Sequence, residues 1–145
     1  MSLLFKSLAL TSMLVCGAVS AQTIAGAWKT IDDSTGKERS IVRITEANGV
    51  FSGKVEKLLA PDAKPDAKCD KCTDARKDQP IIGMTIIRDV KKNDDVFDGG
   101  DILDANNGKL YKVRMKLSDA GKKLEVRGYI GTPMLGRSQN WVRVE

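Results

Sequence analysis

The sequence contains no histidine, and this absence excludes several kinds of chemistry. Histidine is the one side chain whose ordinary pKa lies near neutral pH, so no Ser-His-Asp or Cys-His arrangement can form. Carboxylates are close together in NDDVFDGGD (93–101), but the neighbouring glycines and asparagine are typical of solvated turns. The same stretch lacks the Asp-x-Asp-x-Asp-Gly pattern of a calcium loop. We therefore expect a non-enzymatic protein without a metal or a cofactor.

Aromatic residues are also scarce, at 5% of the chain. The chain has 24 lysines and arginines against 19 acidic residues, a net charge of +5, and the two signs alternate along most of its length. Proteins that bind single-stranded nucleic acids stack the bases on aromatic side chains and concentrate basic residues on one surface. The composition indicates a mixed, solvated surface, so we expect no nucleic-acid partner.

Long hydrophobic runs are missing except at the N-terminus. Lys6 precedes the apolar run LALTSMLVCGAV, and Val19-Ser20-Ala21 supplies the small residues that signal peptidase recognises. The run is shorter than the about 20 residues that a membrane-spanning helix needs. Cys16 follows Val15, whereas lipoprotein signals carry Gly, Ala or Ser at that place. We predict a cleaved signal peptide at 1–21, one domain at 22–145, a periplasmic location and no membrane-spanning segment.

The mature chain divides into short runs of alternating hydrophobicity separated by turn residues. In KLYKVRMKLS (109–118), one face carries Tyr111, Val113, Met115 and Leu117, and the other carries Lys112, Arg114 and Lys116. Asn-Gly and Asp-x-Gly at the turns supply the positive φ angles of tight hairpins. We count eight such runs at a spacing of about 8–12 residues, which predicts an all-β antiparallel barrel or sandwich. Within the run 81–90, the stretch from Ile81 to Ile87 is apolar on both faces, so we expect that strand to be covered on both sides.

One connection is long, at 60–80, and it contains Cys69 and Cys72. A zinc or iron–sulfur site needs more ligands than this pair, and haem attachment needs a histidine where Thr73 stands. A redox dithiol stays open as an alternative, although no helix pattern follows Cys72 to lower a thiol pKa. In an oxidising compartment, a structural disulfide that pins the long loop is the favoured interpretation.

The two ends of the mature chain suggest how a barrel would close. Gly26-Ala27-Trp28 resembles the GxW signature of lipocalins, in which a basic residue of the last strand packs across the tryptophan ring. The resemblance implies that Trp28 and Arg143 form this pair, with Arg137 as the substitute.

A wider resemblance covers nearly the whole mature chain. The segments GAWKTIDDSTGKERSIVRI, CDKC…PIIGMTI, GGDILDANNGKLYKVRM and LEVRGYIGTPMLGRSQNWVRV resemble the DUF2147 family of exported bacterial proteins. The chain departs from the family pattern at Ala105, where proline is usual, and at Thr73. The resemblance implies a small eight-stranded antiparallel lipocalin-like barrel outside the cytoplasm, with no established activity. It also implies that any site would use the matching polar positions, which are Asp104, Asn107, Tyr111, Arg127, Tyr129, Arg137 and Trp141.

An eight-stranded barrel has room for interior side chains or one small ligand. The leading functional hypothesis is a binding protein that takes a small apolar or amphipathic molecule near Tyr111, Met115 and Arg127. We expect Arg127 and Arg137 either to pair with Asp101 or Asp104, or to bind a ligand carboxylate. The first alternative is a structural module that docks an envelope protein, and the second is a thiol-disulfide protein. The complete set of ligand-binding candidates is Tyr111, Met115, Arg127, Tyr129, Arg137 and Trp141.

Overall fold

A computed structural model describes residues 22–145, so the predicted signal peptide at 1–21 lies outside the described residues. Each strand pairs antiparallel with the next in sequence, and the last pairs with the first to close the barrel. Two 3₁₀ turns, Asp119–Gly121 and Pro133–Leu135, precede β7 and β8. The strands are β1 (Gly26–Ile31), β2 (Glu38–Ala47), β3 (Val50–Leu58), β4 (Thr85–Asn93), β5 (Val96–Asp104), β6 (Lys109–Ser118), β7 (Lys123–Tyr129) and β8 (Arg137–Arg143).

The alternation read from the sequence determines which side chains fill the barrel. On β6, Val113 and Met115 are fully buried, whereas Lys112, Arg114 and Lys116 between them are exposed. Closure also removes every edge strand, which protects the sheet from pairing with other chains. The predicted all-β barrel is confirmed, and its core is one cluster to which all eight strands contribute, together with the loop residues Cys69, Cys72 and Met84.

The barrel has two different ends. At the end that we call the Trp28 end, the connections are short turns at 48–49, 94–95 and 119–122. At the other end, which we call the mouth, lie the connections 32–37, 59–84, 105–108 and 130–136. The mouth therefore carries the long loop and nearly all of the irregular chain.

The predicted run 81–90 is only partly a strand. β4 begins at Thr85, and the chain before it turns: the Gly83 amide donates to the Val55 carbonyl at 2.7 Å, and the Ile81 amide donates to the Ala67 carbonyl at 2.9 Å. The hydrophobic pattern of the sequence does not show where β4 begins, because the turn before it is also apolar. Ile86 and Ile87 are both buried, as expected of a strand covered on both faces. Within residues 22–145 no helix is long and apolar enough to cross a membrane.

Candidate functional site at the barrel mouth

The long loop between β3 and β4 folds over one side of the mouth. Cys69 and Cys72 form a disulfide, and both residues are buried, at 0% and 2% exposure. The Cys69 Sγ lies 3.7 Å from the Ala105 carbonyl oxygen, in the turn between β5 and β6. Reactive dithiols lie in accessible positions, so this burial supports the structural interpretation of the pair.

A second contact holds the loop against the start of β4. The Arg76 guanidinium donates to both carboxylate oxygens of Asp74, the shorter bond being 2.6 Å, and it donates to the Thr85 carbonyl at 2.9 Å. These bonds lower the pKa of Asp74 from its ordinary value of 3.8 to about 2. The loop is thus fixed by the disulfide at one point and by an arginine at another.

The inward-facing side chains differ in exposure between the two halves of the barrel. Near the Trp28 end, inward-facing side chains such as Trp28, Ile44 and Leu124 are 0% or 1% exposed. Toward the mouth, Ile102 and Tyr111, which are cross-strand partners on β5 and β6, are partly exposed. The next inward positions on the neighbouring strands, Gly128 of β7 and Gln139 of β8, are also partly exposed. Solvent therefore reaches inward-facing residues on four consecutive strands at the mouth.

Tyr111 is positioned by its neighbours on two sides. A Cβ on residue 128 would lie 3.5 Å from the Tyr111 Cβ, an ordinary contact distance, so β7 packs directly beside Tyr111. The Tyr111 hydroxyl accepts a hydrogen bond from the Asn107 side-chain amide at 3.1 Å. Asn107 and Asp104 also accept backbone bonds from Lys109 and Asn106, so both residues shape the turn as their positions in the sequence suggest.

Arg137, at the start of β8, contacts the connection that follows the neighbouring strand β1. Its guanidinium donates to the Asp33 carboxylate and to the Ser34 hydroxyl. The bond with Arg137 lowers the pKa of Asp33 and raises that of Arg137. The predicted pairing of Arg137 with Asp101 or Asp104 is therefore wrong. The partner lies 104 residues away in the sequence, where no local pattern points to it.

Arg127 and Tyr129 lie on the outer face of the barrel. Arg127 is the cross-strand partner of the outward-facing Arg114, and Tyr129 is the partner of Lys112. The Arg127 guanidinium donates to the Pro133 and Met134 carbonyls and, at 2.9 Å, to the Ser138 hydroxyl. The prediction that Arg127 joins Tyr111 and Met115 around one interior ligand is wrong, as is its pairing with Asp101 or Asp104. The alternation along β7 already predicts the outward position of Arg127, because Leu124 and Val126 face inward and residue 127 therefore faces outward.

Met115 and Trp141 belong to the packed core. Met115 is 0% exposed and Trp141 is 3% exposed, and the Trp141 indole donates to the Gln139 side chain at 3.1 Å. Their burial removes them from the accessible part of the mouth. Of the six ligand-binding candidates, the structure places Tyr111 and Arg137 together at the mouth. It places the other four in the core or on the outer face.

The Trp28 end is closed by the pair named from the sequence. The Arg143 guanidinium carbon lies 4.3 Å from the centre of the Trp28 ring. The Arg143 guanidinium nitrogens donate to the carbonyls of Gly121, Ala25 and Thr23, at 2.7, 2.9 and 2.6 Å. Burial lowers the pKa of Arg143, because desolvation disfavours its charged form.

Two open depressions lie on the protein surface away from the mouth. One of them, about 560 Å³, lies among Gln22, Thr23 and the β2–β3 and β4–β5 hairpins, and Phe51 and Phe97 contribute to its lining. Lys91 and Lys92 line it together with Glu46, so its border is charged with both signs. Among the described residues, no group of three or more potential ligand side chains is close enough together to hold a metal ion.

Comparison with known proteins agrees with this geometry. The sequence pattern of the family described as "Uncharacterized protein conserved in bacteria (DUF2147)" matches residues 26–143. The chain belongs to this family. Among solved structures, protein HP1028 from the human pathogen Helicobacter pylori, described as belonging to the lipocalin family, matches with a TM-score of 0.74. The match has 22% identity and covers 86% of this chain and 85% of that protein, so it shows a shared lipocalin-like fold. No curated protein matches this DUF2147 chain.

Proposed function

We propose that this DUF2147 protein is an exported, non-catalytic binding protein that takes a small amphipathic molecule at the barrel mouth. A lipocalin-like barrel suggests binding of small ligands, and membership in this family suggests a non-enzyme. The observation that carries the proposal is the difference in exposure between the two halves of the barrel. Inward-facing residues are sealed at the Trp28 end, while Ile102, Tyr111 and Gln139 stay accessible at the mouth.

The chemistry of the mouth supports an amphipathic ligand. Ile102 and the Tyr111 ring offer apolar surface to the non-polar part of a ligand. Gln139 and the exposed guanidinium of Arg137 offer hydrogen-bond donors, which suit a polar or carboxylate head group. A few polar groups beside an apolar surface are typical of small-molecule sites. The signal peptide predicted at 1–21 would deliver this site to the periplasm.

A fluorescent fatty acid, dansyl-undecanoic acid, tests the proposal on the mature protein. Tyr111→Ser removes the ring at the mouth, and Leu110→Ser removes its exposed neighbour on the outer face of the same strand. We expect Tyr111→Ser to weaken probe binding about tenfold, which equals about 1.4 kcal/mol, and Leu110→Ser to leave it unchanged. Equal affinity in the two variants, or no binding by the unmodified protein, would contradict a ligand site at the mouth.

Native mass spectrometry of the mature protein isolated from the periplasm measures the mass of any bound ligand and so indicates its class. We expect an adduct that is lost on unfolding, with a mass in the range of a single-chain amphiphile. A bare monomer in every preparation, together with no probe binding, would instead favour an interaction module.

A further inference from the structure

The connection between β7 and β8 carries the most exposed large apolar side chains of the described protein. Met134 is 89% exposed, Leu135 is 79% exposed, and Ile130 is 66% exposed. We call these three residues the apolar tip. Isolated surface leucines are common, but three protruding apolar side chains within one short connection indicate a contact surface.

The apolar tip is held in place by β7. A Cβ on residue 136 would lie 2.6 Å from the Gly128 carbonyl oxygen and 2.9 Å from the Tyr129 Cβ, so Gly136 brings the connection directly onto β7. The Arg127 guanidinium donates to the carbonyls of Pro133 and Met134, which lie within the tip connection. The tip therefore projects from a fixed backbone and does not fold back onto the core.

Beside the tip, the part of the outer face of β6 and β7 nearest the mouth carries positive charges without an ion-pair partner among the described residues, whereas farther from the mouth Lys116 pairs with Asp95 and lies across from Glu125. Arg114 lies directly across from Arg127, and like charges in such a pair destabilise a sheet unless something neutralises them. Lys112 lies across from Asp101, but the Asp101 carboxylate pairs with Arg88. Within residues 22–145, no ion pair includes Lys112, Arg114 or Arg127. We call these three residues the basic face.

We infer that the apolar tip and the basic face together dock the protein on an anionic lipid bilayer. Short apolar insertions bind a bilayer reversibly, and adjacent lysines and arginines add attraction to anionic head groups. Tyr129 is half-buried between the two features, and tyrosine is enriched at the membrane–water interface. The small size of the tip fits insertion between lipids, whereas a stable protein interface buries a much larger area. This inference goes beyond the proposed ligand site and does not depend on it.

Docking in this orientation has a geometric consequence. The tip connection and the barrel mouth lie at the same end of the barrel, because β7 ends and β8 begins there. The bound protein would therefore present its mouth to the bilayer and its Trp28 end to the solvent.

Sedimentation with lipid vesicles tests the inference on the mature protein. Vesicles of phosphatidylethanolamine and phosphatidylglycerol supply anionic lipid, and phosphatidylcholine vesicles serve as the neutral comparison. We expect sedimentation with the anionic vesicles only, and a steep loss of binding when NaCl is raised from about 0.05 to about 0.5 M. Equal binding to neutral vesicles, or none to anionic ones, would overturn the inference.

Matched variants separate the two features. The double variant Met134→Ser with Leu135→Ser should lower the partition coefficient about tenfold. Lys112→Gln with Arg114→Gln should lower it and flatten its salt dependence. The apolar control Val142→Ser with Val144→Ser and the basic control Lys91→Gln with Lys92→Gln, all exposed residues toward the Trp28 end, should leave it unchanged.

Circular dichroism confirms that each variant keeps the barrel before its binding is compared. Equal losses in the test and control variants would overturn the inference, because binding would then follow overall charge or apolarity. Phospholipid recovered with the protein in the supernatant would also overturn it, because it indicates extraction of lipid. A third result would also overturn it: no binding to vesicles, together with binding to an acidic protein that the double variant Met134→Ser with Leu135→Ser abolishes.

Discussion

The Lys71 carbonyl oxygen occupies the place where residue 108 would carry a Cβ. A Cβ built on Gly108 would lie 1.8 Å from that oxygen and 2.9 Å from the Cys72 amide nitrogen. Gly108 also has a φ of +73°, a backbone conformation that glycine adopts without steric cost. The glycine thus serves two purposes: it completes the turn between β5 and β6, and it forms the surface on which the disulfide loop lies.

Gly108→Ala should destabilise the protein by about 2–4 kcal/mol, because a strained φ and a steric clash act together. Gly36→Ala is the matched control, since Gly36 has a φ of +70° and nothing within 4 Å of its would-be Cβ. The control should cost about 1 kcal/mol. Urea unfolding followed by far-UV circular dichroism measures both changes. Equal costs in the two variants would show that the loop does not rest on Gly108.

The strands could be predicted from the sequence because two local signals agree. The alternation on β6 and β7 assigns each side chain to a face, and the glycines and asparagines mark the turns. Closure and the lipocalin-like form then follow from the strand count and the family pattern. The largest difference is at the start of β4, because the turn at 81–84 is as apolar as the strand that follows it.

The candidate site was predicted less completely, for a physical reason. Arg137 bonds to Asp33 in the connection between β1 and β2, and the loop with Cys69 rests on the turn at Gly108, so both contacts join parts of the chain that are distant in sequence. Strand propensity and hydrophobic alternation depend on residues that are neighbours in sequence, so they do not predict contacts between distant parts of the chain. The exposed Met134 and Leu135 did leave a signal, since two large apolar residues stand within a turn segment.

Arg143→Lys should destabilise the Trp28 end by about 1.5–3 kcal/mol, the contribution typical of a hydrogen bond to a charged group. A lysine keeps the charge but loses the planar group that donates to three carbonyls while lying over Trp28. Arg114→Lys, an exposed substitution, should change stability by less than about 0.5 kcal/mol. Thermal and urea unfolding distinguish the two. If Arg143→Lys is as stable as the unmodified protein, the positive charge alone, and not the planar guanidinium, stabilises the Trp28 end.

Asp74→Asn should change how stability depends on pH. The folded pKa of Asp74 is lowered to about 2, mainly by the Arg76 side chain, from an ordinary value of 3.8. A lowered carboxyl pKa stabilises the folded state above the unfolded pKa, and the stabilisation is lost as pH falls through the folded value. The variant should therefore be less stable than the unmodified protein at pH 6, with a difference that disappears toward about pH 2. Urea unfolding at a series of pH values measures it, and the exposed Asp66→Asn serves as control. A difference that is constant with pH would contradict the ion pair.

Removing the disulfide should loosen the loop while leaving the barrel intact. Cys69 and Cys72 close a ring of only four residues, so the chain-entropy contribution is at most about 2 kcal/mol. Alanine is the suitable replacement, because both sulfurs are buried and serine would place hydroxyls in an apolar site. In Cys69→Ala with Cys72→Ala, hydrogen exchange should accelerate at the amides of Cys69, Asp78 and Ile81, which bond within the loop. The amides of β7 and β8 should keep their protection, since these strands bond to each other and do not adjoin the turn at Gly108 on which the loop lies. Faster exchange throughout the barrel would instead mean that the whole fold requires the disulfide. Unchanged exchange in the loop would mean that Arg76, and not the disulfide, is the main anchor of the loop.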